Sequence, residues 1–155
     1  MTNAPRYNDD MTMLPMMAAE MVKDEPNRVA NLANLSALIY DMVPGLNWAG
    51  FYLIEGDVLV LGPFQGKPAC VRLPVGKGVC GTAVATQSVQ VVADVHAFAG
   101  HIACDSASRS EMVVPLCKNG FIVGVLDLDS PTVGRFDADT VAVILDVAAQ
   151  IEQIF

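Results

Sequence analysis

Glu111-Met-Val-Val-Pro-Leu-Cys117, Lys118-Asn-Gly120 and Phe121-Ile-Val-Gly-Val-Leu-Asp-Leu-Asp129 read together as a β-hairpin. Two apolar runs meet at a short polar turn. The turn leaves two registers open. A two-residue Asn-Gly loop pairs Met112 with Asp127. A three-residue loop with Gly120 left-handed pairs Glu111 with Asp127 and sets Glu111, Asp127 and Asp129 on one face. In either case Asp127 and Asp129 project together. Period two places Val123 and Val125 with them and Ile122, Leu126 and Leu128 on the opposite face. Both faces are apolar until the acids begin, as in a strand covered on both sides. Carboxylates that continue an apolar face are costly unless paired, hydrogen-bonded or wet. They mark either a polar pocket or the point where the strand emerges into solvent.

Just before the hairpin, residues 94–110 show little periodicity. Loops in compact domains usually run about 4–6 residues, so one this long is functional or disordered. It carries His96, His101, Cys104, Asp105 and Arg109. The spacing of His96, His101 and Cys104 matches no zinc pattern. The histidines read as solvated loop residues, and no metal or cofactor is expected. The run Cys104-Asp-Ser-Ala-Ser-Arg-Ser-Glu111 puts a thiol close in sequence to a carboxylate, with Asp127 and Asp129 on the next strand. A thiol beside several acids suits redox chemistry on a small cationic or zwitterionic molecule.

Outward from there, residues 11–43 read as helical, with a new start at Pro26. Val29, Leu32, Leu35, Leu38, Ile39 and Met42 recur at helical spacing, and Pro44-Gly45 ends the segment. Residues 47–54 and 58–64 read as strands around Gly56-Asp57, and 69–73 as a third strand carrying Cys70. Trp48, Gly50 and Tyr52 share one strand face, which is either core or one wall of a ligand pocket. Pro74-Val-Gly-Lys-Gly-Val-Cys80-Gly81 matches neither dinucleotide nor P-loop fingerprints and reads as a turn feeding a helix over 79–86. Residues 89–92 form another strand. Asp137 is an N-cap for a closing helix with its stripe at Val141, Ile144, Leu145, Ala148, Ile151 and Phe155. The fold class is α+β, a central antiparallel sheet flanked by N- and C-terminal helices.

The chain has 155 residues, 53% of them hydrophobic, enough for one domain with one core. No apolar run approaches the roughly 18 residues of a membrane span. The N-terminus lacks the order of a signal peptide, so a cytoplasmic protein with no membrane partner is expected. A net charge of −8 repels phosphate backbones, which argues against nucleic acid. The four cysteines are Cys70, Cys80, Cys104 and Cys117, with no Cys-x-x-Cys pair. Reduced thiols are the cytoplasmic default, any disulfide being transient and catalytic. Taken singly, each also reads as a small buried hydrophobe.

Several stretches together resemble the free methionine-(R)-sulfoxide reductases, which are stand-alone GAF domains. They are Asn47-Trp-Ala-Gly-Phe-Tyr52, Leu61-Gly-Pro-Phe-Gln-Gly-Lys-Pro-Ala-Cys70, Gly76-Lys-Gly-Val-Cys-Gly81, His101-Ile-Ala-Cys-Asp-Ser106, Ser110-Glu-Met-Val-Val-Pro115 and Gly124-Val-Leu-Asp-Leu-Asp-Ser130. The likeness runs from about residue 15 to the end, which makes residues 1–14 an N-terminal extension and 15–155 the GAF domain. A generic GAF domain would share the hairpin but not Cys70, Cys80 and Cys104 together. The resemblance implies that Cys104 is the catalytic cysteine and Cys70 its disulfide partner, with Cys80 assisting in relay. It implies that Glu111, Asp127 and Asp129 are the carboxylates of the sulfoxide pocket and Trp48 and Tyr52 its aromatic wall. Cys117 falls outside this set and reads as a buried, inert thiol.

The expected activity is reduction of free methionine sulfoxide through a sulfenic acid and an intramolecular disulfide, reset by a thioredoxin-like reductant. A loop that carries Cys104 both to substrate and to Cys70 is expected to be mobile when reduced and tied down when oxidised. The rival readings are a GAF module that senses a small ligand without chemistry, and a thiol peroxidase or oxidant sensor. Three acids serve a phosphate ligand poorly. The apolar terminal stripes make a homodimer the expected assembly.

Overall fold

The computed structural model describes residues 11–155. One antiparallel sheet holds β1 (Trp48–Glu55), β2 (Val58–Gly66), β3 (Arg72–Pro74), β4 (Gln90–Val92), β5 (Ser110–Lys118) and β6 (Phe121–Ser130). Its spatial order is β3-β2-β1-β6-β5-β4, so the first strand lies against the last. On one face pack α1 (Leu14–Val22), α2 (Arg28–Met42) and α4 (Ala138–Ile151); on the other lies α3 (Gly78–Thr86). This is the expected α+β architecture. Of the expected extension, residues 1–10 lie outside the described residues, while Met11–Met13 already form a 3₁₀ turn that runs into α1. Among the described residues no helix is long and apolar enough to cross a membrane.

The helical elements form where their caps and stripes dictate. Asn27 follows Pro26 and accepts the Ala30 N–H at 2.9 Å, opening α2. Leu32, Leu35, Ile39 and Met42 then bury into the larger apolar cluster, which includes Phe51, Leu126 and Leu128 of the sheet. Asp137 caps α4 by accepting the Thr140 N–H at 2.9 Å, and Ile144, Val147, Ala148 and Ile151 bury into the same cluster. Each such large side chain contributes about 1.5–3 kcal/mol when fully buried. The smaller cluster lies beneath α3, and there polar groups intrude.

The hairpin departs from both expected registers. Asn119 (φ 51°) and Gly120 (φ 81°) are both left-handed, so the loop is the two-residue type, with Lys118 opposite Phe121. Cys117 then faces Ile122, but Leu116 faces Gly124, which makes Val123 the extra residue of a bulge. From there Glu111 pairs with Asp129 and Val113 with Asp127. Glu111, Asp127 and Asp129 do share a face, by way of the bulge rather than of loop length. Val123 is turned away from the acids and packs against the larger cluster on the helix-covered side.

On its other edge β6 meets β1, with Trp48 opposite Asp129, Gly50 opposite Asp127 and Tyr52 opposite Val125. Two cross-strand rows therefore stand on the α3 face: Trp48–Asp129–Glu111, and Gly50–Asp127–Val113.

The third strand is shorter and later than expected. It spans Arg72–Pro74 and leaves Cys70 in the preceding loop. The backbone there satisfies itself inward instead of pairing along its length. The Trp48 indole N–H donates to the Lys67 carbonyl at 3.1 Å, and the Tyr52 hydroxyl donates to the Cys70 carbonyl at 2.8 Å. Those bonds fix the loop over the sheet's α3 face.

Candidate active site

Between that face and α3 lies a pocket of about 560 Å³, its open mouth included. Trp48, Tyr52, Cys80, Cys104, Glu111, Asp127 and Asp129 all line it. Cys70 is the one expected site residue outside the lining, and it is joined to it covalently. Cys70 and Cys104 form a disulfide across 34 residues of sequence, with Cα atoms 5.5 Å apart. The pairing that the resemblance implied is thus made, and the structure represents the oxidised protein.

Trp48 and Tyr52 turn out to be both core and wall. Each is almost fully buried in the smaller cluster, and each lines the pocket. The Trp48 ring stacks on Tyr52 at 5.9 Å and on Phe64 at 5.2 Å between centroids. With its N–H fixed on Lys67, the indole has little rotational freedom. It presents a rigid apolar surface beside Asp129, its neighbour on β6.

The acids have not emerged into solvent. Glu111 and Asp127 are each only 6% exposed, and Asp129 is partly covered. Burial pushes the Glu111 carboxyl well above its ordinary range, and the neighbouring charges of Asp127 and Asp129 push it further. Burial, then the charges of Asp127 and Asp105, raise Asp129 in the same direction. Asp127 is pushed up to about 6 by burial, with hydrogen bonds from Glu111 and Cys80 opposing the rise. The Oδ1 of Asp127 is buried and has no protein partner. A pocket of this kind favours the protonated forms of Glu111 and Asp129 and offers the orphan oxygen of Asp127 to a cationic ligand.

Cys80, in the first turn of α3, sits against these acids, its Sγ 3.9 Å from Glu111 Oε1. Burial and the charges of Asp127 and Glu111 raise its thiol well above the ordinary range, so in the resting pocket it is a protonated thiol rather than a nucleophile. Cys117 corrects an expectation. It is exposed rather than buried, next to the turn of the hairpin, where its own N–H donates to Glu152 at 2.6 Å. The strand's last residues run past the covering helices, which period alone did not show.

The 94–110 segment is more structured than expected. A 3₁₀ turn spans Val95–Ala97, and the segment's ends are tied by the Val95 N–H on the Arg109 carbonyl at 2.8 Å and the Arg109 N–H on the Ser130 carbonyl at 2.7 Å. Asn47 reaches Asp105 at 3.2 Å and Ser108 at 3.1 Å, fastening the loop to the start of β1. His101 is not a solvated residue. It lines the pocket with its Nε2 3.8 Å from Glu111 Oε2. Burial and the nearby His96 lower its pKa, which favours a neutral imidazole beside a carboxyl whose pKa burial raises.

The sequence profile of the GAF domain matches residues 28–155. A free methionine-R-sulfoxide reductase of Escherichia coli K12 is 55% identical over 134 residues, covering 86% of this chain and 81% of the relative. The X-ray structure of a free methionine-R-sulfoxide reductase from Neisseria meningitidis, in complex with its substrate, superposes with a TM-score of 0.90 at 44% identity over 94% of this chain and 87% of that one. A substrate complex of Staphylococcus aureus fRMsr gives 0.88 at 50% identity over 94% and 95%. The chain belongs to the free methionine-R-sulfoxide reductases, a GAF-domain family.

For this reductase the resemblance gave no role to His101, Lys67, Leu73, Lys77 or Ile102, which also line the pocket, nor to Phe64, which lies outside the lining and stacks on Trp48. Phe64 pairs with Gly50 across β1 and β2, and only the register brings it beside Trp48. His101 had one readable signal. Ile102 beside it is apolar in a polar loop, and an apolar residue there marks a point where the loop dips inward. In the structure Ile102 packs into the smaller cluster.

Proposed function

We propose that this reductase converts free L-methionine-(R)-S-oxide to methionine, with Cys104 as its nucleophile. The observation that carries the proposal is the position of Cys104. It lines the acid pocket while bonded to Cys70, so one short loop serves both substrate and partner thiol.

In the reduced enzyme the Cys104 thiolate attacks the sulfoxide sulfur. The oxygen leaves sulfur only when protonated, and Glu111, kept neutral by its surroundings, donates that proton. Oxygen passes from methionine sulfoxide to Cys104: the products are methionine and a cysteine sulfenic acid. The Cys70 thiol then condenses with the sulfenic acid, releases water and forms the disulfide. A dithiol donor such as thioredoxin returns two electrons and two protons to regenerate both thiols.

Specificity for the free amino acid follows from Asp127 and Asp129. A free α-ammonium can reach the orphan oxygen of Asp127 through a charge-assisted hydrogen bond, and it supplies the counter-charge that lets these acids ionise. A residue inside a polypeptide has no such group. Trp48 packs against the S-methyl end and leaves the oxygen facing Glu111 for one epimer only.

The test is turnover of three substrates with a dithiol reductant: the free R epimer, the free S epimer, and an internal methionine sulfoxide in a blocked peptide. Only the first should be reduced at an appreciable rate. Equal rates on the peptide would refute the role given to the acids. Faster oxidation by peroxide than by the sulfoxide would favour the oxidant-sensor reading.

A further inference from the structure

Cys80, Glu111 and Asp127 form a cluster that the reaction above uses only in part. One ligand-type atom from each, a sulfur and two oxygens, lies within 4.8 Å of the others. The Cys80 Sγ to Glu111 Oε1 distance is 3.9 Å, and His101 Nε2 stands 3.8 Å from the other Glu111 oxygen. Zinc bonds of about 2.3 Å to sulfur and about 2.0–2.2 Å to nitrogen or oxygen imply tetrahedral edges of roughly 3.3–3.8 Å. The cluster is therefore close to the spacing that zinc needs, with two members on adjacent strands and the third in the first turn of a helix.

A second observation points to a ligand there. Asp127 is 94% buried, since only 6% of it is exposed, and its Oδ1 faces no donor. A buried acceptor left this way is costly, and a cation satisfies it. The pocket mouth gives a route in, because Cys80, Glu111, Asp127 and His101 all line it.

We propose that the pocket is also a zinc-binding site, with Cys80, Glu111 and Asp127 as ligands and His101, which stands outside their mutual 4.8 Å cluster and against the far oxygen of Glu111, turning in as the fourth. Sulfur, imidazole and carboxylate ligands suit zinc, whereas magnesium and calcium take oxygen alone. Binding displaces the protons that these groups otherwise hold. The site excludes substrate, because zinc would take both the proton donor and the acceptor for the ammonium; this consequence rests on the function proposed above, but the binding itself does not. None of the ligands is Cys104 or Cys70, so the disulfide form holds zinc as well.

Zinc is titrated into the full-length disulfide protein, free of reductant, in competition with a chromophoric chelator. One zinc per chain is expected, with binding weakened at least tenfold by Cys80→Ser or Asp127→Asn and severalfold by His101→Gln. Cys117→Ser should leave it unchanged. Zinc-edge X-ray absorption of the wild-type disulfide form needs no variant; it should show one sulfur neighbour, the rest being nitrogen or oxygen. Stoichiometric binding that survives Cys80→Ser, a shell without sulfur, or failure of the disulfide form to bind would each overturn the proposal. Zinc binding with no loss of methionine release would uphold the site and refute its overlap with substrate.

Discussion

Replacing Asp127 by Asn should make the protein more stable, and increasingly so as the pH rises. Asp127 is buried at the pocket floor between β1, β5 and α3, and its pKa goes from 3.8 to about 6 on folding. A carboxyl raised in this way favours the folded state below the unfolded pKa, and that contribution is lost as pH rises through the folded pKa. A shift of about two units at 1.36 kcal/mol each corresponds to about 3 kcal/mol, most of it lost between pH 4 and pH 7. Asparagine does not titrate, so it removes this loss. It also removes a charge that raises Glu111, which adds to the gain in the same direction. Urea unfolding of the disulfide form of both proteins at pH 4 and pH 8 measures the effect. The difference between variant and wild type should move by on the order of 3 kcal/mol in favour of the variant. With a slope of about 1–3 kcal/mol per molar urea, its midpoint should rise by on the order of 1–3 M. Methionine release should fall at the same time. Parallel pH profiles for the two proteins would mean that Asp127 is hydrated and ionised when folded, and the low-dielectric account of the pocket would be wrong.

Other outcomes follow from the same geometry. Glu111→Gln should lower kcat on the free R epimer by about 10²–10⁴-fold, the usual worth of a positioned proton donor. In the wild type, kcat should fall as pH rises through the elevated Glu111 pKa, and that alkaline limb should vanish in the variant. Cys70→Ser should still release one methionine per chain but then stop, with Cys104 held as a sulfenic acid that a nucleophilic trap captures by mass spectrometry. In the folded disulfide protein, an alkylating reagent should modify Cys117 and spare buried Cys80 until the chain is unfolded.

The fold was legible where one local signal decided it. Pro26 marked the start of α2, Asp137 was read as the cap of α4 and accepts the Thr140 N–H, and Lys118-Asn119-Gly120 marked the hairpin turn while leaving its loop length open. The bulge at Val123 was not read, yet Gly124 offered a hint, since glycine inside a strand often marks one. A side chain there would meet the Tyr52 carbonyl on β1. One extra residue reverses every later face, so a single missed bulge sent Val123 to the wrong side while the acids still came together. The site was legible through its resemblance to a family, not through period or spacing. For His101 the sole hint was the apolar Ile102 beside it, because its position depends on a loop fastened to β1 by Asn47 and closed by Cys70. Cys117 misled for a related reason: an apolar strand pattern does not show where the covering helices end.

The most direct test uses the fully reduced protein, freed of reductant and mixed with excess free methionine-(R)-sulfoxide. The methionine released is counted, and the cysteines are mapped by mass spectrometry. One methionine per chain, formed together with a Cys70–Cys104 disulfide and abolished by Cys104→Ser, is the predicted result. Undiminished methionine release from Cys104→Ser, or a disulfide that joins other cysteines, would contradict it.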